Sequence, residues 1–137
     1  MCSSDLWPDS RPGLERLARR FTIATLSNAG MAAVIAVVKR GALSFDAVLT
    51  AELARAYKPA PAVYQLGVDY LDLPPSAIMM VACHKYDLDA AGAFGMRTAF
   101  VARPLEFGPQ GRPDVTFDAR FDVNAHDFLD LADQLGA

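Results

Sequence analysis

The chain has 137 residues, 53% hydrophobic and 21% charged, with a formal net charge of −3. That is long enough for one domain with its own core and too apolar for a disordered polypeptide. Arg and Lys are scattered rather than clustered, so neither nucleic acid nor an anionic membrane surface is an expected partner.

The longest apolar run, residues 29–38, is about half of what a bilayer-spanning helix needs. The polar N-terminus lacks the basic and then apolar regions of a signal peptide. Two cysteines occur, Cys2 and Cys83. One lies in the tail and the other beside a polar cluster, so no disulfide is expected, and the expected compartment is the cytoplasm.

Residues 1–11 read as a disordered lead-in and residues 12–137 as a single domain. Pro12 suits the first position of a helix. Residues 21–26 form a β-rich run that ends in the turn signal Ser27-Asn28-Ala29-Gly30. Residues 29–40 are apolar on nearly every side, which predicts a helix buried on more than one face and closed by Gly41. A short strand is expected over 45–50 and an amphipathic helix over 61–71. Residues 78–82 are continuously apolar, as in a strand buried on both faces. A helix over 87–94 stops at Gly95, and a strand over 98–102 ends at Arg103-Pro104. A Gly/Pro-rich loop follows over 106–113. A last strand over 121–123 precedes a helix over 125–135, capped by Asn124 and closed by Gly136. Strands and helices alternate with short connections, so the expected fold is α/β. It is a three-layer, Rossmann-like parallel sheet with helices on both faces.

Three polar clusters sit at strand or loop ends, the usual place for a site in an open parallel sheet. Ser27 and Asn28 follow a strand and precede a helix. They serve as a helix cap, an anion-binding turn, or both. Lys58 lies between Tyr57 and Pro59 in a loop stiffened by Pro61; it is either a solvated lysine or a cation held to neutralise a carboxylate. His84, Lys85, Asp87 and Asp89 crowd one helix start, where carboxylates also complement the helix dipole. His84 and Asp87 are three apart and can share a face, whereas Asp89 points elsewhere. A histidine there can act as acid or base, or orient a water. One histidine and one carboxylate fall short of a dedicated metal site, so no metal is assigned. Tyr64 has the character of a core residue, and His126 is given no role.

Together, Thr25-Leu26-Ser27-Asn28, the stretch Tyr57-Lys58-Pro59-Ala60-Pro61-Ala62-Val63-Tyr64, and Met80-Val81-Ala82-Cys83-His84-Lys85-Tyr86-Asp87-Leu88 resemble motifs two, three and four of the haloacid dehalogenase superfamily. The Lys-Pro-x-Pro-x-x-Tyr form is similar to its type II, (S)-2-haloacid dehalogenase branch. The resemblance implies a hydrolase that displaces halide from short 2-haloacids through an aspartyl ester. It needs no cofactor, and homodimers are common in the family. By resemblance Ser27 and Asn28 bind the substrate carboxylate, Lys58 pairs with the nucleophile, Asp87 orients the site and Tyr64 lines the pocket. Phosphatases of the superfamily hold magnesium with an acidic pair; Cys83 occupies the first of those places here, which fits dehalogenation better than phosphoryl transfer. Ala82 and His84 stand where better-known dehalogenases have Ser and Asn, so His84 either takes over the Asn role or alters the substrate range.

The family's first motif, a central strand ending in the nucleophilic aspartate, has no counterpart here. Asp5 and Asp9 lie in polar, Pro-bearing sequence unsuited to a strand. The expectation is therefore a C-terminal portion of a dehalogenase, without the nucleophile strand and cap and inactive alone. Two alternatives stay open: a phosphatase fragment of the same superfamily, and a non-enzymatic α/β module that binds small carboxylates.

Overall fold

The computed structural model describes residues 7–137. In chain order it contains α1 (Ser10–Ala18), β1 (Ala24–Ser27), α2 (Met31–Arg40), β2 (Ala47–Thr50), α3 (Pro61–Leu71), β3 (Met79–Ala82), α4 (Lys85–Phe94), β4 (Arg97–Val101), β5 (Val123–Ala125) and α5 (Phe128–Gln134). The class is α/β, as the alternation of short strands and helices predicts.

All strand pairs are parallel, but they fall into two sheets. β1 pairs with β2, matching Ala24 to Ala47, while β3-β4-β5 form the second sheet, matching Met80 to Thr98 and Phe100 to Asn124. β1 and β3 each have one side without a ladder partner among the described residues.

Strand β4 divides the core through the alternation of its side chains. Phe100, with Ala102 just beyond the strand, joins Tyr64 of α3, Leu88 and Ala91 of α4, and Met80 of β3. Ala99 and Val101 face the other way, toward Leu14 and Leu17 of α1 and Leu131 and Ala132 of α5. Helices therefore cover both faces of the three-stranded sheet. Complete burial of a side chain such as Phe100, Leu88 or Leu131 contributes about 1.5–3 kcal/mol each. Gly13 lets α1 and α5 pack closely, since a Cβ there would come within 2.9 Å of the Phe128 backbone.

Several local expectations shift. Of the expected lead-in, residues 1–6 lie outside the described residues, whereas Ser10 and Arg11 already belong to α1, with Ser10 buried. Helix α2 is not buried on several sides: Val34 alone is buried, and Ile35 is 43% exposed. Its main neighbour among the described residues is β2. Strand β3 buries Met80 but leaves Met79, Val81 and Ala82 partly accessible, since one of its edges has no partner among the described residues. The last helix starts at Phe128 and is capped by Asp127, whose side chain accepts the Asp130 N–H. Asn124 instead belongs to β5, and its amide bonds the Asp118 backbone in both directions. Gly95 closes α4 at φ 109°, a left-handed geometry suited to glycine. No helix among the described residues is long and apolar enough to cross a membrane.

Candidate active site

The strand ends do what parallel strands feeding short loops dictate: they deliver polar side chains to one rim. Ser27 ends β1, and its Oγ accepts the Ala29 N–H at 3.0 Å, closing the turn into α2. Asn28 reaches across instead; its Oδ1 accepts the backbone N–H of Lys58 at 2.7 Å. That bond ties the β1 turn to the loop before α3. Pro61, at the first turn of α3, sets where that loop ends.

Lys58 Nζ donates to Asp87 Oδ2 at 2.8 Å, and both side chains are almost fully buried, 6% and 9% exposed. Asp87 lies in the first turn of α4, where the helix dipole favours negative charge. Its other oxygen, Oδ1, accepts the Tyr64 hydroxyl at 2.7 Å. Tyr64 is fully buried, and burial together with the adjacent Asp87 carboxylate pushes its phenol above the usual range. It therefore remains a donor. Breaking such a buried pair by removing one charge strands the other, which is far more costly than losing a surface pair.

A cavity of about 280 Å³ opens over this network, with Ser27, Asn28, Lys58, His84 and Asp87 in its wall. Leu26 of β1 and Met80, Val81 and Ala82 of β3 also line it, so it follows the unpaired sides of both strands. Five of the six residues assigned to the site from the sequence thus meet at one cavity, and Tyr64 stands behind Asp87. Asp89 points away into an exposed ion pair with Arg120 at 2.8 Å. His126 packs its ring against Phe117 instead, centroids 4.8 Å apart.

Two residues of this region escape sequence reasoning. Glu106, buried to 6% exposure, holds His84 Nε2 at 2.6 Å. It sits in a Gly/Pro-rich loop that carries no periodicity to flag it. Arg103 also lines the cavity and makes a two-pronged pair with Asp9, at 2.8 and 2.9 Å. Only its position at the carboxyl end of a strand hinted at this.

No family model matches the chain. It is 36% identical over 112 residues to (S)-2-haloacid dehalogenase 1 of Pseudomonas sp. (strain CBS-3), covering 76% of this chain and 49% of that protein. Its fold superposes on the crystal structure of the L-2-haloacid dehalogenase PA0810 with a TM-score of 0.90 at 43% identity, covering 94% of this chain and 57% of the other. The L-2-haloacid dehalogenase from Xanthobacter autotrophicus with chloropropionic acid covalently bound gives a TM-score of 0.80 at 26% identity, covering 96% and 61%. The chain spans about half the length of the curated relatives it matches. With Ser27-Asn28, Lys58 and Asp87 gathered at one cavity of that architecture, the chain's homologues are (S)-2-haloacid dehalogenases in sequence and L-2-haloacid dehalogenases in fold.

Proposed function

We propose that this chain carries the substrate-binding and charge-balancing part of an (S)-2-haloacid dehalogenase that acts on short 2-haloacids. The observation that carries the reading is the buried Lys58–Asp87–Tyr64 network beneath a cavity that runs along the unpaired sides of β1 and β3. A further parallel strand seated between those edges would satisfy both ladders and bring its C-terminal residue to Lys58. An aspartate there is the nucleophile of the proposed reaction.

The chemistry then follows from charge. The aspartate oxygen attacks C2 of the haloacid; the carbon–halogen bond breaks and halide leaves with its electron pair, giving an ester. Ser27 and Asn28, with the backbone N–H groups at the start of α2, hold the substrate carboxylate. Lys58 offsets the negative charge near the nucleophile, and Asp87 and Tyr64 fix the ammonium in place. Water then adds to the ester carbonyl while His84, oriented by Glu106, takes its proton. Collapse releases the 2-hydroxyacid and restores the carboxylate. Overall, haloacid and water give hydroxyacid, halide and a proton. A homodimer forms part of the proposal, supported by the exposed apolar residues Ala32, Ala33, Ile35 and Ala36 of α2, and sedimentation velocity tests it.

The test is halide release from 2-chloropropionate by a polypeptide that joins this sequence to an aspartate-bearing strand. Lys58→Ala is expected to lower kcat about 100- to 1,000-fold, as for other preorganised charge stabilisers; an unaltered rate would reject the assignment. The 137-residue chain by itself is expected to release no halide. Magnesium-stimulated release of phosphate from small esters would point to a phosphatase instead.

A further inference from the structure

Beside the Lys58–Asp87–Tyr64 network lies a second cluster with different chemistry. Cys83 Sγ, His84 Nε2 and a carboxylate oxygen of Glu106 all fall within 4.8 Å of one another. His84 Nε2 is 2.6 Å from Glu106 Oε1, and Cys83 Sγ is 3.9 Å from Glu106 Oε2. The first two donors come from the β3–α4 junction, and the third from the loop after β4. We propose that these three residues bind a divalent cation of the zinc class.

The donor set selects the ion. Oxygen-only sites suit magnesium and calcium, whereas thiolate and imidazole together favour zinc or cobalt(II). The separations are also suitable. With metal–donor bonds of about 2.0–2.3 Å, tetrahedral donors stand about 3.2–3.8 Å apart. No pair therefore needs to close by more than about 1 Å, while the His84–Glu106 contact opens by a similar amount to admit the ion between them. His84 is 43% exposed on its side chain, so it has room for that adjustment, and Glu106 is anchored at 6%. Binding places the thiol proton in solvent and uses neutral imidazole. Three protein donors leave a fourth position for water, and all three line a second cavity of about 170 Å³. The result would be a metal bridge from the α4 start to the loop that follows β4, adjacent to Asp87; it occupies His84 Nε2 and Glu106, so the metal-bound form withholds His84 from the proton transfer proposed above.

Cobalt(II) provides a direct readout, because a thiolate ligand gives an intense near-ultraviolet charge-transfer band. The titration is made on the intact protein with Cys2→Ser, which leaves Cys83 as the sole thiol of this chain. A band that saturates at one cobalt per chain and is displaced by zinc is the expected result. It should disappear in Cys83→Ser, and affinity should fall about tenfold or more in His84→Ala and in Glu106→Gln. Circular dichroism establishes that each variant is folded. For the otherwise unaltered protein, zinc should slow alkylation of Cys83 by iodoacetamide at least about tenfold, since a coordinated thiolate is a poor nucleophile. No band, a band that survives Cys83→Ser, unchanged affinity in Glu106→Gln, or alkylation indifferent to zinc would each overturn the site.

Discussion

At the scale of single residues, the decisive contrast is between two aspartates two positions apart on α4. Asp87 is buried against Lys58 and Tyr64, whereas Asp89 is half-exposed and paired with Arg120. Helical geometry alone separates them, since positions two apart point to different sides. In a catalytically complete protein Asp87→Asn is expected to cut turnover by about 100-fold or more, because it leaves the Lys58 ammonium without its buried counter-charge. Asp89→Asn should leave kcat within about twofold and stability within about 0.5 kcal/mol, since an exposed pair contributes little. Halide-release kinetics on the two variants check both outcomes. Lys58 and Asp87 were legible as candidates because a lysine wedged among prolines is unusual and Asp87 lies three residues from His84, on a shared helix face. Glu106 was not legible, since nothing in a Gly/Pro-rich loop says which side chain turns inward.

At the scale of elements, the strongest local signals survive best. Pro61 at the first turn and the apolar spacing of Val63 and Leu66 define α3 to the residue. The start of α5 was displaced because two cap-forming residues, Asn124 and Asp127, lie three apart. Tertiary context chose between them: β5 pairs Asn124 beside Phe100 of β4, and its side chain is spent on the Asp118 turn. Asp127→Ala is therefore expected to destabilise the fold by about 1 kcal/mol through loss of its capping bond. A thermal melt that shows no change would contradict the cap. Helix α2 carries the opposite lesson. Apolar residues on every side of a helix predict burial only if elements exist to cover them, and α2 packs mainly on β2 among the described residues.

At the scale of the whole molecule, Asp9 and Arg103 clamp the start of α1 to the end of β4, and Asp9 also accepts the Phe128 N–H that begins α5. Burial by itself would raise the Asp9 carboxyl pKa, but its bonds to Arg103 and Phe128 hold it below its ordinary value of 3.8. A lowered native pKa means that this contribution is fully present above the unfolded value near 3.8. It is lost as pH falls through the native value below it. Asp9→Asn should cost about 3 kcal/mol at neutral pH by leaving the Arg103 guanidinium, 5% exposed, unpaired. Urea titrations across the acid range should show the wild-type protein losing that increment below pH 3.8 and the variant not losing it. Equal acid sensitivity of the two would remove Asp9 as the cause.

The sequence by itself determined the alternation of parallel strands and helices, the placing of Ser27, Asn28, Lys58, His84 and Asp87 at strand or loop ends, and the divergence of Asp89. These follow from short-range rules: side-chain period, proline geometry and helix-terminal charge. Only the tertiary structure decided which partners those side chains acquire. Asn28 holds the Lys58 backbone, Tyr64 backs Asp87, and Glu106 meets Cys83 and His84. The reason is physical. Each of these contacts joins residues about 20–30 positions apart, and such separations are closed by how the sheet and helices pack, which no local pattern encodes.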